Sequence, residues 1–292
     1  MAKQATDVAA HAKVGLPAEA SDLDEMMRQD AGMGISNRAE DNIVPQLKVL
    51  QPLSPEVTEG PEKVPGAQAG DFLLGTTLIK GKEGIWFQPC HMDHKLFEFM
   101  PLDRGGGFVA EHPMKRDAKG IAVFTDEGDP ALPQRAVKLD RFRYEINDNN
   151  LIHYRQLAGF AWKYSDKELE TTGQPYVISF KSTGHTTMRQ WMTKASRSNQ
   201  MKDGTQRPLF AHLYHLTTSH QRNAKGQWYS LEVGDAELIR KGLVSDPNSV
   251  YLMGRALASA FASGEKESAK PERAESEDAP RRDNDGDREI PF

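Results

Sequence analysis

The feature that most restricts the fold of this chain is a succession of short apolar runs, each cut off by Gly, Pro or Asp before it reaches helical length. From Asp71 onward these are Phe72 to Ile79, Ile85 to Pro89, Leu96 to Met100, Gly107 to Ala110 and Ile121 to Phe124. A second series follows as Phe142 to Ile146, Leu151 to Tyr164, Tyr176 to Phe180, Leu209 to Leu216 and Gln227 to Val233, the last two joined by a polar turn with Asn223 and Gly226. Such runs between turn residues read as β-strands, and this many of them predicts a barrel or sandwich. Ahead of them, Ile43-Val44 and Leu47 to Leu50 form a first strand punctuated by Pro45 and Pro52, and residues 54–70 form a loop.

Helical spacing occurs at three places. Met188, Trp191, Met192 and Ala195 fall at i, i+3, i+4 and i+7 after Ser182-Thr183, on one helical face. Asp235 is suited to cap a short helix carrying Leu238 and Ile239. Val250, Met253, Leu257 and Phe261 define a longer amphipathic helix ending near Gly264. The fold class is therefore a β-rich α+β body over 43–264. Residues 1–42, rich in Ala, Asp and Gly, read as a flexible arm, and 265–292, with almost no apolar residue before its end, as a disordered acidic tail.

The net charge of −5 is unevenly spread. Residues 1–44 carry 8 acidic and 4 basic side chains, 265–292 carry 10 and 6, and the stretch between them has 27 basic against 24 acidic, a surplus of +3. A mildly basic body between acidic ends suits a polyanion binder with a competing tail. No stretch approaches the roughly 20 apolar residues of a membrane span, and the start has no basic region leading into an apolar one, so a cytoplasmic location is expected. The single Cys90 fits a reducing compartment.

The chain ends Asp283-Asn284-Asp285-Gly286-Asp287-Arg288-Glu289-Ile290-Pro291-Phe292. A polar tract gives Ile290 and Phe292 nothing to pack on within itself. They suit capture by an apolar pocket on another protein, with Pro291 limiting the freedom lost, the terminal carboxylate pairing with a basic rim, and Asp283, Asp285, Asp287 and Glu289 steering the approach. These ten residues resemble the bacterial single-stranded DNA-binding protein family, whose disordered tails end in acidic residues followed by Ile-Pro-Phe; Arg288 interrupts what is usually a purer acidic run. The resemblance implies a non-enzymatic protein that coats single-stranded DNA and recruits replication or recombination proteins through its tail. Leu50-Gln51-Pro52-Leu53-Ser54-Pro55-Glu56-Val57, Gly70-Asp71-Phe72 and Gly105-Gly106-Gly107-Phe108 loosely resemble longer phage-encoded proteins of the replication module, over about 45–200. That second resemblance implies an OB-like barrel elaborated with extra strands and helices, in the cytoplasm of a bacterial host.

Single strands are held by aromatic faces that stack on bases and cations that track phosphates. Arg141-Phe142-Arg143-Tyr144 alternates the two types, Tyr154-Arg155 and Trp162-Lys163 repeat the mixture, and Arg189, Lys194 and Arg197 lie off the apolar face of their helix. Arg141, Arg143, Tyr154, Arg155, Trp162, Lys163, Arg189, Lys194 and Arg197 are thus the candidate DNA-contact residues, with Trp162 and Tyr154 foremost as stacking platforms. Core packing is the competing role for every aromatic, and the preferred one for Trp191.

Cys90-His91-Met92-Asp93-His94, with His212, His215 and His220, holds metal-capable side chains, but one cysteine excludes a Cys-rich zinc site and no ligand spacing is established, so no metal or cofactor is expected. Gly105-Gly106-Gly107 lacks the Gly-Lys-Ser/Thr of a phosphate cradle, and no hydrolase elbow or metalloprotease helix is present. The rival readings are a strand-annealing or recombination-mediator protein, a metal-dependent DNA-processing enzyme built on Asp93 and the histidines, and an adaptor that uses the tail alone. Homo-oligomerisation is compatible with all of them. If the acidic tail competes for the basic body, deleting 265–292 tightens binding of single-stranded DNA at low salt in fluorescence anisotropy. Unchanged or weaker affinity contradicts that competition.

Overall fold

The computed structural model describes residues 43–118, 122–125, 129–140, 143–165, 168–169, 173–224 and 226–270. The expected N-terminal arm, the terminal Asp283 to Phe292 segment and Arg141 lie outside the described residues. In chain order the strands are β1 (Ile43–Val44), β2 (Leu47–Val49), β3 (Phe72–Leu74), β4 (Thr77–Ile79), β5 (Ile85–Phe99), β6 (Phe108–His112), β7 (Val137–Asp140) and β8 (Arg143–Ile146). They continue as β9 (Asn149–Trp162), β10 (Tyr164–Ser165), β11 (Glu168–Leu169), β12 (Gln174–Phe180), β13 (His212–Asn223), β14 (Gly226–Leu238) and β15 (Glu267–Ser268). Helix α1 (Gly184–Asn199) follows β12, and α2 (Pro247–Ser263) follows β14. The protein is β-rich, as expected, with a curled main sheet that forms half a barrel.

Two long antiparallel strands are the spine of that sheet. β5 and β9 pair from Trp86↔Trp162 to Phe99↔Asn150. Each carries two shorter partners in tandem on its outer edge: β13 and β6 on β5, β12 and β8 on β9. β14 and β7 extend the sheet at its two sides. β8 turns into β9 through Asn147 and Asp148, both at positive φ (51° and 59°), the backbone that a two-residue hairpin requires and that Asn and Asp tolerate.

A bulge between Pro89 and His91 changes which side chains of β5 face which way. Before it, Ile85 and Phe87 point into the core beneath α1; after the extra residue, Cys90, the even positions Met92, His94 and Leu96 take that side. Opposite the bulge sits Gly159, where a Cβ would lie 2.2 Å from the Gln88 carbonyl oxygen and against the Phe87 ring, so only glycine fits.

Each face of the spine has its own helix. On one, Met188, Trp191 and Ala195 of α1 pack with Phe87, Leu157, Ile178, Phe180 and Tyr214, and the small sheet β2-β3-β4 closes this core with Leu47, Phe72 and Ile79. On the other, Val250 and Leu257 of α2 pack on Phe160, Trp162 and Leu213. The buried Gln88 amide donates to the carbonyls of Phe210 (2.9 Å) and Val250 (3.1 Å), and Gly254 lets the helix approach it. α2 is capped by Asp246, which accepts from the Asn248 and Ser249 amides, and ends at Gly264 in the left-handed conformation.

Several sequence expectations are corrected. The runs expected at Ile85 to Pro89 and Leu96 to Met100 belong to one strand that ends at Phe99, because His91 to Lys95 pair with β9 despite their mostly polar side chains. The short helix expected after Asp235 is strand: Ala236, Glu237 and Leu238 continue β14 in register with Tyr214, Leu213 and His212, and that ladder overrides the capping signal. Leu209 to Ala211 form a 3-10 turn before β13 begins. The body also runs past residue 264, since Glu267–Ser268 of β15 pairs in parallel with β1.

Trp191 is fully buried at the centre of the larger core, whereas Leu252 on the outer side of α2 is 57% exposed. Trp191→Ala is expected to lower unfolding stability by about 3–5 kcal/mol in urea titrations with an unchanged m-value, and Leu252→Ala to leave it within about 0.5 kcal/mol.

Candidate functional site

Beside α1, the sheet face leaves an open depression of ≈ 610 Å³. Its helical wall is one stripe of α1, Arg189, Met192, Thr193, Ser196 and Arg197, spaced i, i+3, i+4, i+7 and i+8. This stripe lies next to the buried one that holds α1 on the core. Its sheet wall is Met92 and His94 from β5 and Arg155 from β9, with Phe124 from the segment after β6. His94 and Arg155 are a register pair, and Met92 pairs with the buried Leu157, so the side chains of both strands point to one face.

Arg155, Arg189 and Arg197 have no carboxylate partner among the described residues, and the buried Nε of Arg155 has no acceptor. Burial and the neighbouring Arg189 both pull the Arg155 guanidinium below its usual range. α1 itself contains no acidic residue. The opposite face of the same strands is balanced: Lys95 meets Glu111 (2.5 Å) and lies 3.9 Å from Asp93. Guanidiniums that no described carboxylate compensates, around Met92, Phe124 and Met192, have the chemistry to accept an anion with an apolar part.

Behind Arg155 lies a stack of three imidazoles. His94 and His153 share an N–H···N hydrogen bond of 3.0 Å with rings 5.3 Å apart, and His153 stacks on His185 at 4.9 Å. The His185 Nε2–H donates to the His153 carbonyl at 3.2 Å, and the Phe124 ring meets His94 edge to face at 4.9 Å. Burial is the largest force holding all three in the neutral form. Arg155 comes next for His94 and His185, and for His153 the neighbouring imidazoles of His185 and His94 do. They are pushed down to about 4 for His94, about 2 for His153 and about 3 for His185.

The nine candidate contact residues part company. Arg155, Arg189 and Arg197 converge on the depression. Lys194 turns away, donating to the Val233 carbonyl at 2.8 Å and lying 3.7 Å from Asp235. Lys163 is exposed beyond the end of β9, and Arg143 lies in β8. The two foremost stacking candidates are in the core: Trp162 is 1% exposed under α2, and Tyr154 is 4% exposed against Phe97 and Phe99. Neither presents a ring face to a ligand, because Trp162 is packed beneath α2 and Tyr154 against Phe97 and Phe99 on the face of β9 away from the depression. Sequence reasoning did not assign Met92, His94, Phe124 or Met192 to this surface: it read Met92 and His94 in the metal-capable segment and Met192 on the apolar face of α1, where Met192 does pack in part on the core. The bulge that turns Met92 and His94 inward has no signature in the local pattern.

The metal-capable segment does not assemble with the distant histidines. His215 packs on Trp86 and donates to the Glu83 carbonyl, His220 packs on Tyr229, and His212 is buried. Among the described residues no group of three or more His, Cys, Asp or Glu is arranged to hold a metal ion. Cys90 is buried in the bulge, which pushes its thiol well up. Among the described residues no helix is long and apolar enough to cross a membrane.

The model of the Pam3 phage gp34-like protein family matches residues 13–267. The chain belongs to that family. The match covers the described body up to residue 267, so the spine, both helices and the arginine-lined depression all fall inside this gp34-like unit, which is a phage-related one. No curated protein and no solved structure matches the chain.

The imidazole stack gives this gp34-like protein a defined acid response. In the unfolded chain the three rings titrate near 6.5. Below that pH the unfolded state takes up protons that the folded state refuses, so stability is full above about pH 6.5 and is lost as pH falls towards about 4. Thermal melts are expected to show a lower Tm at pH 5 than at pH 7.5. A Tm unchanged over that interval contradicts a buried neutral stack.

Proposed function

We propose that this protein binds single-stranded DNA without sequence preference, through the depression between α1 and the β5–β9 spine. The observation that carries the reading is the convergence of Arg155, Arg189 and Arg197, unpaired with any described carboxylate, around Met92, Phe124 and Met192. Cations that track phosphates beside apolar surface that accepts bases are what a single strand needs, and no catalytic group is required. Arg189 and Arg197 are two helical turns apart, about 12 Å along α1. At roughly 3.4 Å per stacked nucleotide, that span brackets about three or four nucleotides.

In this reading the curled sheet is an elaborated OB-like scaffold and the protein acts stoichiometrically, as a coat rather than an enzyme. Asp283, Asp285, Asp287, Glu289, Ile290, Pro291 and Phe292 then serve as a hook for replication or recombination proteins in the host cytoplasm. The phage-related family is consistent with that setting.

The test is fluorescence anisotropy of labelled single-stranded and duplex oligonucleotides over a salt titration. Wild-type protein is expected to prefer the single strand. The Arg155→Ala/Arg189→Ala/Arg197→Ala variant is expected to bind weakly, with the log–log salt slope reduced by about 2, the share of three phosphate contacts. Equal affinity for duplex, or a triple variant that binds like the wild type, overturns this assignment of the groove.

A further inference from the structure

The floor of the depression is more apolar than a phosphate-binding surface requires. Met92 sits mid-strand in the sheet and is 37% exposed, although its register partner Leu157 is fully buried. Met192 stands across from it on α1, one turn from Arg189, and Phe124 lines the same space with its ring held edge to face by His94. Cations alone would capture a phosphate chain. Two thioethers and an aromatic ring between them offer polarisable surface that phosphates do not use and flat aromatic rings do.

The depression, ≈ 610 Å³ and open to solvent, has room for a nucleobase laid against one wall. A base paired within a duplex is stacked on both faces and shows only its edges in the grooves, so it has no face to lay on such a floor. An unpaired base has one. Resting on the reading of this groove as a nucleic-acid site, we infer that Met92, Phe124 and Met192 hold an unpaired nucleobase of the bound strand while Arg155, Arg189 and Arg197 take the flanking phosphates. Selection of single strands then comes from base capture and not from charge, which duplex supplies more densely. Met92 and Met192 are the specificity-determining residues of the groove.

The experiment compares three ligands on the full-length protein: a mixed-sequence oligodeoxynucleotide, an abasic deoxyribose-phosphate strand of the same length, and a free deoxynucleoside monophosphate. Wild-type protein is expected to bind the normal strand about tenfold or more tightly than the abasic one, the worth of one stacked base. In Met92→Ala/Met192→Ala that ratio falls towards one, with folding of the variant checked by its circular dichroism spectrum and a cooperative urea transition; a folded variant that keeps the wild-type ratio overturns the inference. Equal wild-type affinity for the two strands overturns base capture and leaves the nucleic-acid reading standing. Failure to bind either overturns both. A monophosphate that binds as tightly as the strand overturns the assignment to a polymer. As a check independent of substitution, photocrosslinking of a 5-bromouracil-substituted strand to wild-type protein is expected to place adducts on Met92, Phe124, Met192 or His94. Adducts confined to other parts of the chain overturn the inference.

Discussion

The pairing of β5 with β9 is the interaction on which the rest of the structure depends. Both strands are long enough to take two further partners each on their outer edges, so six of the strands of the main sheet are fixed by one register. The Cys90 bulge sits in the middle of that ladder and divides it functionally. On the N-terminal side of β5 the odd residues feed the core under α1; past the bulge the even residues do, and Met92 and His94 reach the depression only because of that switch. Gly159 belongs to the same device, since any side chain there would press on the bulged strand's backbone.

The two faces of the spine differ in electrostatics more than in shape. Successive residues of β5 point to opposite sides, so Asp93 and Lys95 meet balancing charges on one face while His94 faces Arg155 on the other. On that second face the positive charge is concentrated on side chains that no described carboxylate offsets, with histidines behind them kept neutral in part by Arg155. A protonated imidazole beside Arg155 would add repulsion to the larger cost of burying its charge, with Asp93 offsetting only part of it for His94. Neutrality of the stack and the open charge of the groove are therefore two consequences of the same arrangement.

Much of this was legible in the sequence, and the failures have physical causes. The β texture, the apolar face of α1 and the extent of α2 follow from periodicity, because burial on one side of an element leaves a direct mark on residue spacing. Arg189, Lys194 and Arg197 were singled out as cations off the apolar face of α1 and Arg155 from its place beside Tyr154; three of them line the depression, but Lys194 is taken up by the Val233 carbonyl and Asp235, a difference the helical pattern does not carry. Trp162 and Tyr154 could not be placed, since an aromatic in a strand looks the same whether its neighbour is a base, a helix or other core rings. Met92 and Phe124 were not assigned to this surface for a related reason: their places depend on a register shift and on a chain crossing that no local pattern encodes, whereas Met192 was read on the apolar face of α1 and does pack in part on the core at its edge. Ala236 to Leu238 show the limit in the other direction, where a local cap signal at Asp235 lost to the β13 ladder.

The net charge of −5 bears little on whether such a groove attracts anions. At physiological ionic strength the screening length is about 8 Å, so the potential in the depression is set by charges that line it and not by the sum over the chain. Three guanidiniums line the depression itself, and the acidic surplus of the chain is carried by segments before residue 45 and after 264. Low-dielectric walls of methionine and phenylalanine lengthen the reach of the arginines further, because fewer waters intervene to screen them. An acidic protein can in this way carry a local cationic surface, provided that no carboxylate is built into the helix that supplies it. α1, with Arg189, Lys194 and Arg197 and no Asp or Glu, meets that condition.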